Sequence, residues 1–322
     1  IKNHKIKNLN QNMFSFIVRR LLLIIPMALL VVTVTWVLVR MAPGNFYTGE
    51  RKLPPAIEEN IKKKYGLDKP VIDFSFNNQY MIMMGNILKL DFGDSLKYEG
   101  QSVNQIISRH FPYSATLGIF AYLLALAIGL SAGFIAALKQ NSAADYASMS
   151  LAMLGQSVPN FVIGPILVIV FSLGLYIFPP ARADGFMNYV LPVITLSAIY
   201  AAYIARLTRA GMVEVLRSDY IRTARAKGLS ETKVLFRHAL KGGLIPVVSY
   251  TGPALAGLLA GTVVVEKVFA MPGLGNIFIQ SIFNRDEPLT LGIVAFLSIL
   301  IMVFNLLVDV SYAFLDPRIR YE

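Results

Sequence analysis

The feature that most constrains this chain is a series of long apolar runs that carry almost no charge. Charged residues make up only 15% of the 322 residues, whereas hydrophobic residues make up 55% and the mean hydropathy is +0.57. A soluble chain normally carries about 25% charged residues. Runs of ~20 apolar residues match the thickness of the hydrocarbon core of a bilayer. The sequence therefore predicts an all-α, polytopic membrane protein.

The runs predict six transmembrane helices, at 17–41, 114–138, 146–177, 189–207, 244–265 and 289–315. The third is long, and Gly155–Asn160 interrupts it. The chain then divides into an N-terminal extension (1–16), the first span (17–41), an insert (42–112), a core with the remaining spans (113–315) and a tail (316–322). Residues 1–12 are polar, and we expect either a disordered extension or the product of a start site upstream of Met13.

The insert between the first two spans is too long for a plain connection and predicts a small helical domain. Helix start and stop signals predict one helix within 54–66, a second at about 71–88, and a third at 102–110 that ends before Pro112. The insert is nearly neutral, with ten Lys/Arg against eight Asp/Glu from Arg40 to Arg109.

The distribution of Lys and Arg predicts which side of the membrane each loop faces. The N-terminus, the turn at Lys139, residues 206–241 and the tail hold five, one, nine and two of them. Apart from the insert, the opposite loops hold only Arg182, Lys267 and Arg285. Because short cytoplasmic loops are enriched in Lys and Arg, both termini and 206–241 are predicted to be cytoplasmic. The insert is predicted to be extracytoplasmic, since long segments translocate largely regardless of charge.

The most basic stretch lies between two apolar runs, at Ser218–Pro246, and is called the basic segment below. It predicts two short helices separated by Gly228, which suits the left-handed conformation that ends a helix. Ser218 or Asp219 is placed to cap the first helix, and Ser230 to cap the second. The first helix carries cations around it and small residues suited to a close approach by a partner backbone: Arg217, Arg222, Arg225, Lys227, Thr223, Ala224 and Ala226.

Three interpretations of the basic segment compete. Charge alone fits a solvated loop that faces lipid headgroups. The helix–Gly–helix pattern also fits a helix-turn-helix that reads DNA, but the flanking spans are too close to allow entry into a DNA groove. The third interpretation is a rigid cationic helix that docks into an acidic groove of a cytoplasmic protein.

The basic segment resembles the cytoplasmic loop of permeases from binding-protein-dependent ABC importers. In that family a Glu-Ala-Ala triplet is followed by Gly at the seventh position; here 222–224 aligns with the triplet and Gly228 with the glycine. The missing Glu and the displaced Pro246 depart from the general pattern but are familiar in the peptide-transporter branch. Further blocks across 13–322 resemble the B-type permease of oligopeptide importers: MFSFIVRRLLLIIP, RMAPGNFYTGERKLPP, DFGDSLKY, GFIAALKQN, RTARAKGL, MPGLG, NRD and DPRIRYE.

This resemblance implies a type I ABC importer permease fold, a location in the bacterial inner (plasma) membrane, and an assembly of several subunits. The expected partners are a sister permease (C type), two cytoplasmic ATPases (D and F types), an extracytoplasmic peptide-binding protein (A type) and the transported peptide, without nucleic acid. ATP and Mg²⁺ are expected on the ATPases, and no cofactor on this chain. In the family the loop helix, within the coupling loop at 208–243, occupies a cleft of an ATPase. This assigns the coupling role to Tyr220, Ile221, Arg222, Thr223, Ala224, Arg225, Ala226, Lys227 and Gly228.

The chain itself lacks the sequence features of an enzyme. It has no G-x-x-x-x-G-K-[ST] motif for binding phosphates, so we expect no catalytic residues of its own. Gly129-x-Ser131-x-Gly133 matches a hydrolase pattern, but it lies in an apolar helical run, where we expect the glycines to pack closely on another helix. The histidines fall in separate segments and predict no metal site: His4, His110 and His238.

Polar residues at breaks in the apolar runs are candidates for lining a pathway, or equally for ordinary hydrogen bonds between helices. They are Gln156, Ser157, Asn160, Ser249 and Thr251.

The resemblance implies a permease subunit that forms half of an oligopeptide pathway. Dipeptides, nickel chelates and sugar oligomers are alternative substrates of the same permease type. A stand-alone secondary transporter is the rival class, but it predicts paired charges near the bilayer midplane that the sequence does not offer.

Overall fold

In a computed structural model of the protein, the described residues are 2–41, 69–71, 78–180 and 185–315. They form helices, turns and one isolated β-bridge between Asp94 and Ser102, which confirms the all-α prediction. The helices are α1 (Lys2–Met41), α2 (Gln79–Leu88), α3 (Val103–Leu138), α4 (Ala143–Ser157), α5 (Asn160–Leu167), α6 (Phe186–Leu216), α7 (Asp219–Ala226), α8 (Glu231–Lys233), α9 (Leu240–Gly243), α10 (Ile245–Val268), α11 (Leu274–Phe283) and α12 (Glu287–Leu315). Two π-helical turns, Val168–Gly174 and Val234–Ala239, follow α5 and α8 directly.

Four of these helices are long and apolar enough to cross a membrane, at Ile17–Met41, Val103–Leu138, Phe186–Leu216 and Glu287–Val308. Ala143–Ser157 and Asn160–Gly174 make a fifth span if the bent pair counts as one. The predicted fifth span coincides with α10, a helix of 24 residues. The described residues therefore hold four or five spans by length and composition, and the count of six stays a prediction.

The predicted interruption of the third span is a sharp bend. The two halves meet at an angle of 102°. Val158 has extended backbone angles (φ −93°, ψ 122°), and Pro159 follows it. A residue before proline is pushed out of the helical region, and proline itself donates no hydrogen bond, so the helix ends there and a new one begins.

Several predicted boundaries differ from the structure. The third insert helix does not end before Pro112: α3 runs from Val103 through this proline to Leu138. A proline inside a helix removes one hydrogen bond, and a run of otherwise strongly helical residues can continue despite this loss. Similarly, α6 continues to Leu216, so the first part of the coupling loop predicted at 208–243 belongs to that helix.

Three further differences concern the ends of the chain and the loops. α1 begins at Lys2 rather than near residue 17, so the residues expected to be disordered continue the helix of the first span. The segment between the fifth and sixth predicted spans contains α11, whose sequence LGNIFIQSIF is apolar. The helix that matches the second predicted insert helix begins at Gln79, after an N-cap at Asn78, and ends at Leu88. The insert helix predicted within 54–66 and the tail at 316–322 lie outside the described residues.

The chain divides into two compact units. The first consists of Ile1–Met13, Tyr113–Gly275 and Phe304–Glu322, and the second of Phe14–Pro112 and Asn276–Val303.

Buried side chains of α3, α6 and α10 form the core of the first unit, and close packing between α3 and α6 is part of it. A Cβ atom at Gly129 would lie 2.7 Å from the Cβ of Ile204, and one at Gly133 would meet the carbonyl oxygen of Ala205. The prediction that these two glycines pack closely on another helix is therefore confirmed. Ser131, between them, is exposed.

In the second unit, Asp286 joins a loop to the start of α12. Its carboxylate is fully buried and accepts hydrogen bonds from the Ser95 hydroxyl (2.5 Å) and from the backbone N–H groups of Leu96 and Lys97 (both 3.1 Å). It also accepts one from the N–H of Leu289 in the first turn of α12, at 3.2 Å. One carboxylate therefore satisfies a free donor of a helix and three donors of a loop about 190 residues away in sequence.

Candidate functional site

Two apolar side chains fix α7 to the protein. Ile221 is fully buried and Ala224 is 6% exposed, and both belong to a core cluster with Met212 of α6 and with Val234 and Ala239 of the following π-helical turn. The spacing of three residues places Ile221 and Ala224 on one face of the helix. That face is filled by the chain's own core, so Ala224 is not available for the close approach to a partner that the sequence suggested.

The C-terminal end of α7 closes with a glycine, as predicted. Gly228 has φ +77°, in the left-handed region. Its N–H donates to the carbonyl of Arg225 (2.9 Å), and the N–H of Leu229 donates to that of Ala224 (3.4 Å). This pair of bonds is a Schellman motif, which satisfies carbonyls left free at a helix end.

The predicted N-terminal caps are not formed by side chains. Ser218 and Ser230 occupy the N-cap positions with extended backbone angles, but neither side chain makes a capping hydrogen bond. The hydroxyl of Ser218 instead donates to the carbonyl of Val215 at 2.6 Å, so it joins α7 to the end of α6.

The outward side of α7 is polar and cationic. Seven of the nine predicted coupling residues are exposed: Tyr220, Arg222, Thr223, Arg225, Ala226, Lys227 and Gly228. Arg222 contacts Asp219 at 3.2 Å, and Arg225 makes two hydrogen bonds to the Glu231 carboxylate, at 2.7 and 3.3 Å. The hydrogen bonds to Glu231 raise the pKa of Arg225 above its ordinary value. This ion pair spans the turn at Gly228, and the sequence does not indicate it because a spacing of six residues belongs to no regular helical pair.

The helical turns after Gly228 lie tightly against the end of α6. A Cβ atom at Gly211 would meet the carbonyl oxygen of Gly243, and one at Gly242 would lie 3.0 Å from the hydroxyl oxygen of Tyr220. One residue, Leu244, separates α9 from α10. α7 therefore packs against the end of α6 and against the helical turns that lead to α10.

The five candidates for lining a pathway have different surroundings. The amide of Gln156 donates to the hydroxyl of Tyr203 at 3.0 Å, and Thr251 accepts a hydrogen bond from the Tyr122 hydroxyl at 2.6 Å. Ser157 and Ser249 donate to carbonyls of their own helices, Met153 and Ile245. Asn160 is half-buried at the start of α5. Gln156 and Thr251 thus join helices, whereas the two serines do not.

An ion pair between α4 and α6 was also missed. Arg209 donates to both carboxylate oxygens of Asp145, at 2.6 and 2.7 Å, and the Asp145 side chain is 3% exposed. Asp145 lies in the first turn of α4, after an N-cap at Ser142. Among the described residues, no group of three or more His, Asp or Glu side chains is arranged to hold a metal ion.

Two curated proteins resemble this chain over nearly its whole length. The oligopeptide transport system permease protein OppB of Salmonella typhimurium is 45% identical over 313 residues, which cover 96% of this chain and 100% of that protein. The dipeptide transport system permease protein DppB of Bacillus subtilis is 42% identical over 308 residues, which cover 96% and 98%.

Among solved structures, an inward-facing conformation of the MetNI methionine ABC transporter matches with a TM-score of 0.56. The match covers 66% of this chain and 96% of that chain at 16% identity, and it therefore supports the fold alone. The family model of the binding-protein-dependent transport system inner membrane component matches residues 129–321, which include the whole basic segment. With this match and the two full-length relatives, the chain belongs to the family of inner membrane components of binding-protein-dependent transport systems.

Proposed function

We propose that this chain is a permease subunit of an ATP-driven importer for oligopeptides, and that α7 couples it to a cytoplasmic ATPase. The observation that carries the proposal is the structure of α7, which has a buried face held by Ile221 and Ala224 and an exposed face that carries Arg222, Arg225 and Lys227. The functions of the relatives, oligopeptide and dipeptide transport, support peptides as the substrate. Dipeptides are the second candidate, and nickel chelates and sugar oligomers are more distant ones.

The chain performs no covalent chemistry in this proposal. It forms half of the pathway with a sister permease (C type), while two ATPases (D and F types) bind ATP and Mg²⁺ and an extracytoplasmic binding protein (A type) delivers the peptide. Both termini and α7 face the cytoplasm of a bacterial cell, and the insert faces outward. This sidedness follows from the bias of Lys and Arg among the short loops.

The contacts of α7 suggest how movement would be transmitted. A force on the exposed face reaches α6 through Met212 and the hydrogen bond from Ser218, and it reaches α10 through the turns that follow Gly228. Because packed interfaces deform little, a displaced α7 shifts the ends of both helices instead of being absorbed locally. The helix is thus an element through which ATP-driven closure can bias an equilibrium between two states of the pathway.

Charge reversal of the exposed face tests the proposal. In the assembled transporter, the double variant Arg222→Glu, Arg225→Glu should retain most ATP hydrolysis and lose peptide uptake by about tenfold or more, because like charges oppose docking into an acidic groove. The measurement is the number of ATP molecules hydrolysed for each peptide taken up into proteoliposomes. Normal uptake in the double variant would contradict the coupling role of α7.

Two control variants separate docking from other effects. Lys233→Glu reverses an exposed charge on α8 and should change uptake little. Glu231→Gln removes the ion-pair partner of Arg225 but leaves the arginine in place, so it shows how much of the loss comes from the broken pair. The rival class is tested by the chain alone in liposomes, where peptide transport without any ATPase would favour a secondary transporter.

A further inference from the structure

Four polar or aromatic side chains from three helices meet in the first unit. Gln156 of α4 donates to the hydroxyl of Tyr203 of α6 at 3.0 Å. The ring of Tyr250 of α10 stacks on that of Tyr203, with centroids 5.6 Å apart and planes at 29°. The guanidinium carbon of Arg206 lies 4.8 Å from the centre of the Tyr203 ring. Tyr203 is the centre of this group, which is called the Tyr203 cluster below.

Among the residues that the structure describes, no acidic side chain neutralises the positive charge of Arg206. In the described part of the chain, no carboxylate lies within ion-pair distance of its guanidinium. Its neighbour Arg209 differs, since it is neutralised by both oxygens of Asp145. Arg206 lies at the predicted cytoplasmic end of the fourth span, where a charge is usually paired or faces water, so its guanidinium is available to water or to a ligand.

The direction of the Arg206 side chain argues against an anchor at the membrane surface. Arg206 is nearer in sequence to the end of α6 at Leu216 than to its start at Phe186. An arginine that snorkels extends its side chain toward the nearer end of the helix. Here the guanidinium lies over Tyr203, one turn back toward the middle of the helix.

The exposure of the cluster fits a wet surface rather than lipid. All four side chains are half-buried, so each presents part of its surface outward. Polar groups of a spanning helix avoid hydrocarbon and face either water or protein. A dry seam with another subunit would require a carboxylate opposite Arg206, because an unpaired buried charge is very costly. A water-filled pathway leaves the guanidinium solvated until a ligand arrives.

We propose that the Tyr203 cluster is a transient binding site for the carboxylate of the transported peptide on the pathway side of this subunit. Arg206 offers a planar set of donors that matches a carboxylate in two parallel hydrogen bonds. The stack of Tyr203 and Tyr250 offers apolar and aromatic surface to the adjoining residue of the peptide. The hydrogen bond from Gln156 fixes Tyr203, and Tyr203 in turn holds the guanidinium. The proposal rests on the proposed function, since it names a substrate group for that pathway.

The test compares peptides that differ only in their carboxylates. ATP-dependent uptake by the assembled transporter in proteoliposomes is measured with a tripeptide, its C-terminal amide, and an amide with an internal glutamate, each supplied on saturating binding protein. Arg206→Gln should lower uptake of the free acid by about tenfold and leave that of the plain amide unchanged. Because the binding protein is the same throughout, its own preference cancels when the acid-to-amide uptake ratio of a variant is compared with that of the unaltered transporter. Loss of uptake for the internal glutamate as well would show that side-chain carboxylates also bind the site.

Control variants distinguish loss of carboxylate binding from misfolding and from a general loss of transport. Lys139→Gln removes an exposed cation of the same unit and should leave the ratio unchanged. Arg206→Lys keeps the charge but loses the planar donor set, and it should lower the ratio by about threefold even if Arg206→Gln fails to assemble. Equal effects on acid and amide, or no effect of either Arg206 variant on the ratio, would overturn the proposal. If the unaltered transporter takes up none of the peptides with ATP, the proposed function itself fails.

Discussion

At the scale of single residues, the left-handed conformation of Gly228 ends α7 and starts the turn toward α8. Its φ of +77° is unfavourable for residues with a Cβ atom, but a Cβ atom there would meet nothing within 4 Å. A substitution at Gly228 therefore strains the backbone without a collision. This position was identifiable from sequence because glycine is the usual residue at such a helix end.

Gly228→Ala should strain the turn by about 1–2 kcal/mol and weaken the coupling of ATP hydrolysis to uptake, because the strain is relieved by shifting α7. Gly100→Ala is a matched control, since Gly100 has φ +73° and equally open surroundings in the other unit. Both variants should lower the midpoint of thermal unfolding slightly, but only Gly228→Ala should raise the ATP hydrolysed for each peptide. The same coupling ratio in both would contradict a special role for the α7 turn.

Asp286 is the clearest case of a buried charge in the second unit. Asp286→Asn should destabilise that unit by about 2 kcal/mol, because an amide NH₂ group would replace one carboxylate oxygen that now receives N–H and O–H donors. The measurements are the midpoint of thermal unfolding in detergent and the rate of proteolysis near Ser95. Asp94→Asn alters an exposed neighbour and should change neither. Equal stability of the two variants would contradict the inference that Asp286 holds the loop at 95–97 to the start of α12.

At the scale of helices, local sequence determines where each one breaks, whereas close contacts determine how they pack. The break at Val158-Pro159 and the end of α7 at Gly228 follow from proline and glycine. Pro112 shows the limit of such signals. α3 continues through it, because the strongly helical residues around it tolerate the loss of one hydrogen bond. The contact of α3 with α6 depends on glycines whose partners are distant in sequence.

Gly133→Ala should disturb the contact of α3 with α6, since the added methyl group would meet a backbone carbonyl that cannot move alone. Overpacking of this kind costs about 1–3 kcal/mol. Gly118→Ala is the control on the same helix, because a Cβ atom there has nothing within 4 Å. We expect a lower unfolding midpoint and poorer assembly for Gly133→Ala alone. Equal midpoints for the two variants would show that the contact is looser than described.

At the scale of the whole molecule, the bias of Lys and Arg predicts a fixed orientation in the membrane. The chain contains no cysteine, so single introduced cysteines can report on it without background. Lys139→Cys and Lys233→Cys should react with an impermeant thiol reagent only from the cytoplasmic side. Glu99→Cys, in the insert, should react only from outside. Labelling of Lys233→Cys from outside would show that the orientation is the reverse of the predicted one. It would also exclude contact of α7 with a cytoplasmic ATPase.

The sequence by itself determined the helical membrane class, the approximate positions of most spans, the break in the third one and the helix–glycine pattern around Gly228. These properties depend on residues close together in the chain, such as apolar runs, Pro159 and Gly228. Only the tertiary structure decided that Ile221 and Ala224 face inward and that Gln156, Tyr203, Arg206 and Tyr250 meet. It also decided that Asp286 receives donors from a loop about 190 residues away. The reason is physical: which side chains face each other depends on the rotation and packing of whole helices, which no short stretch of sequence specifies.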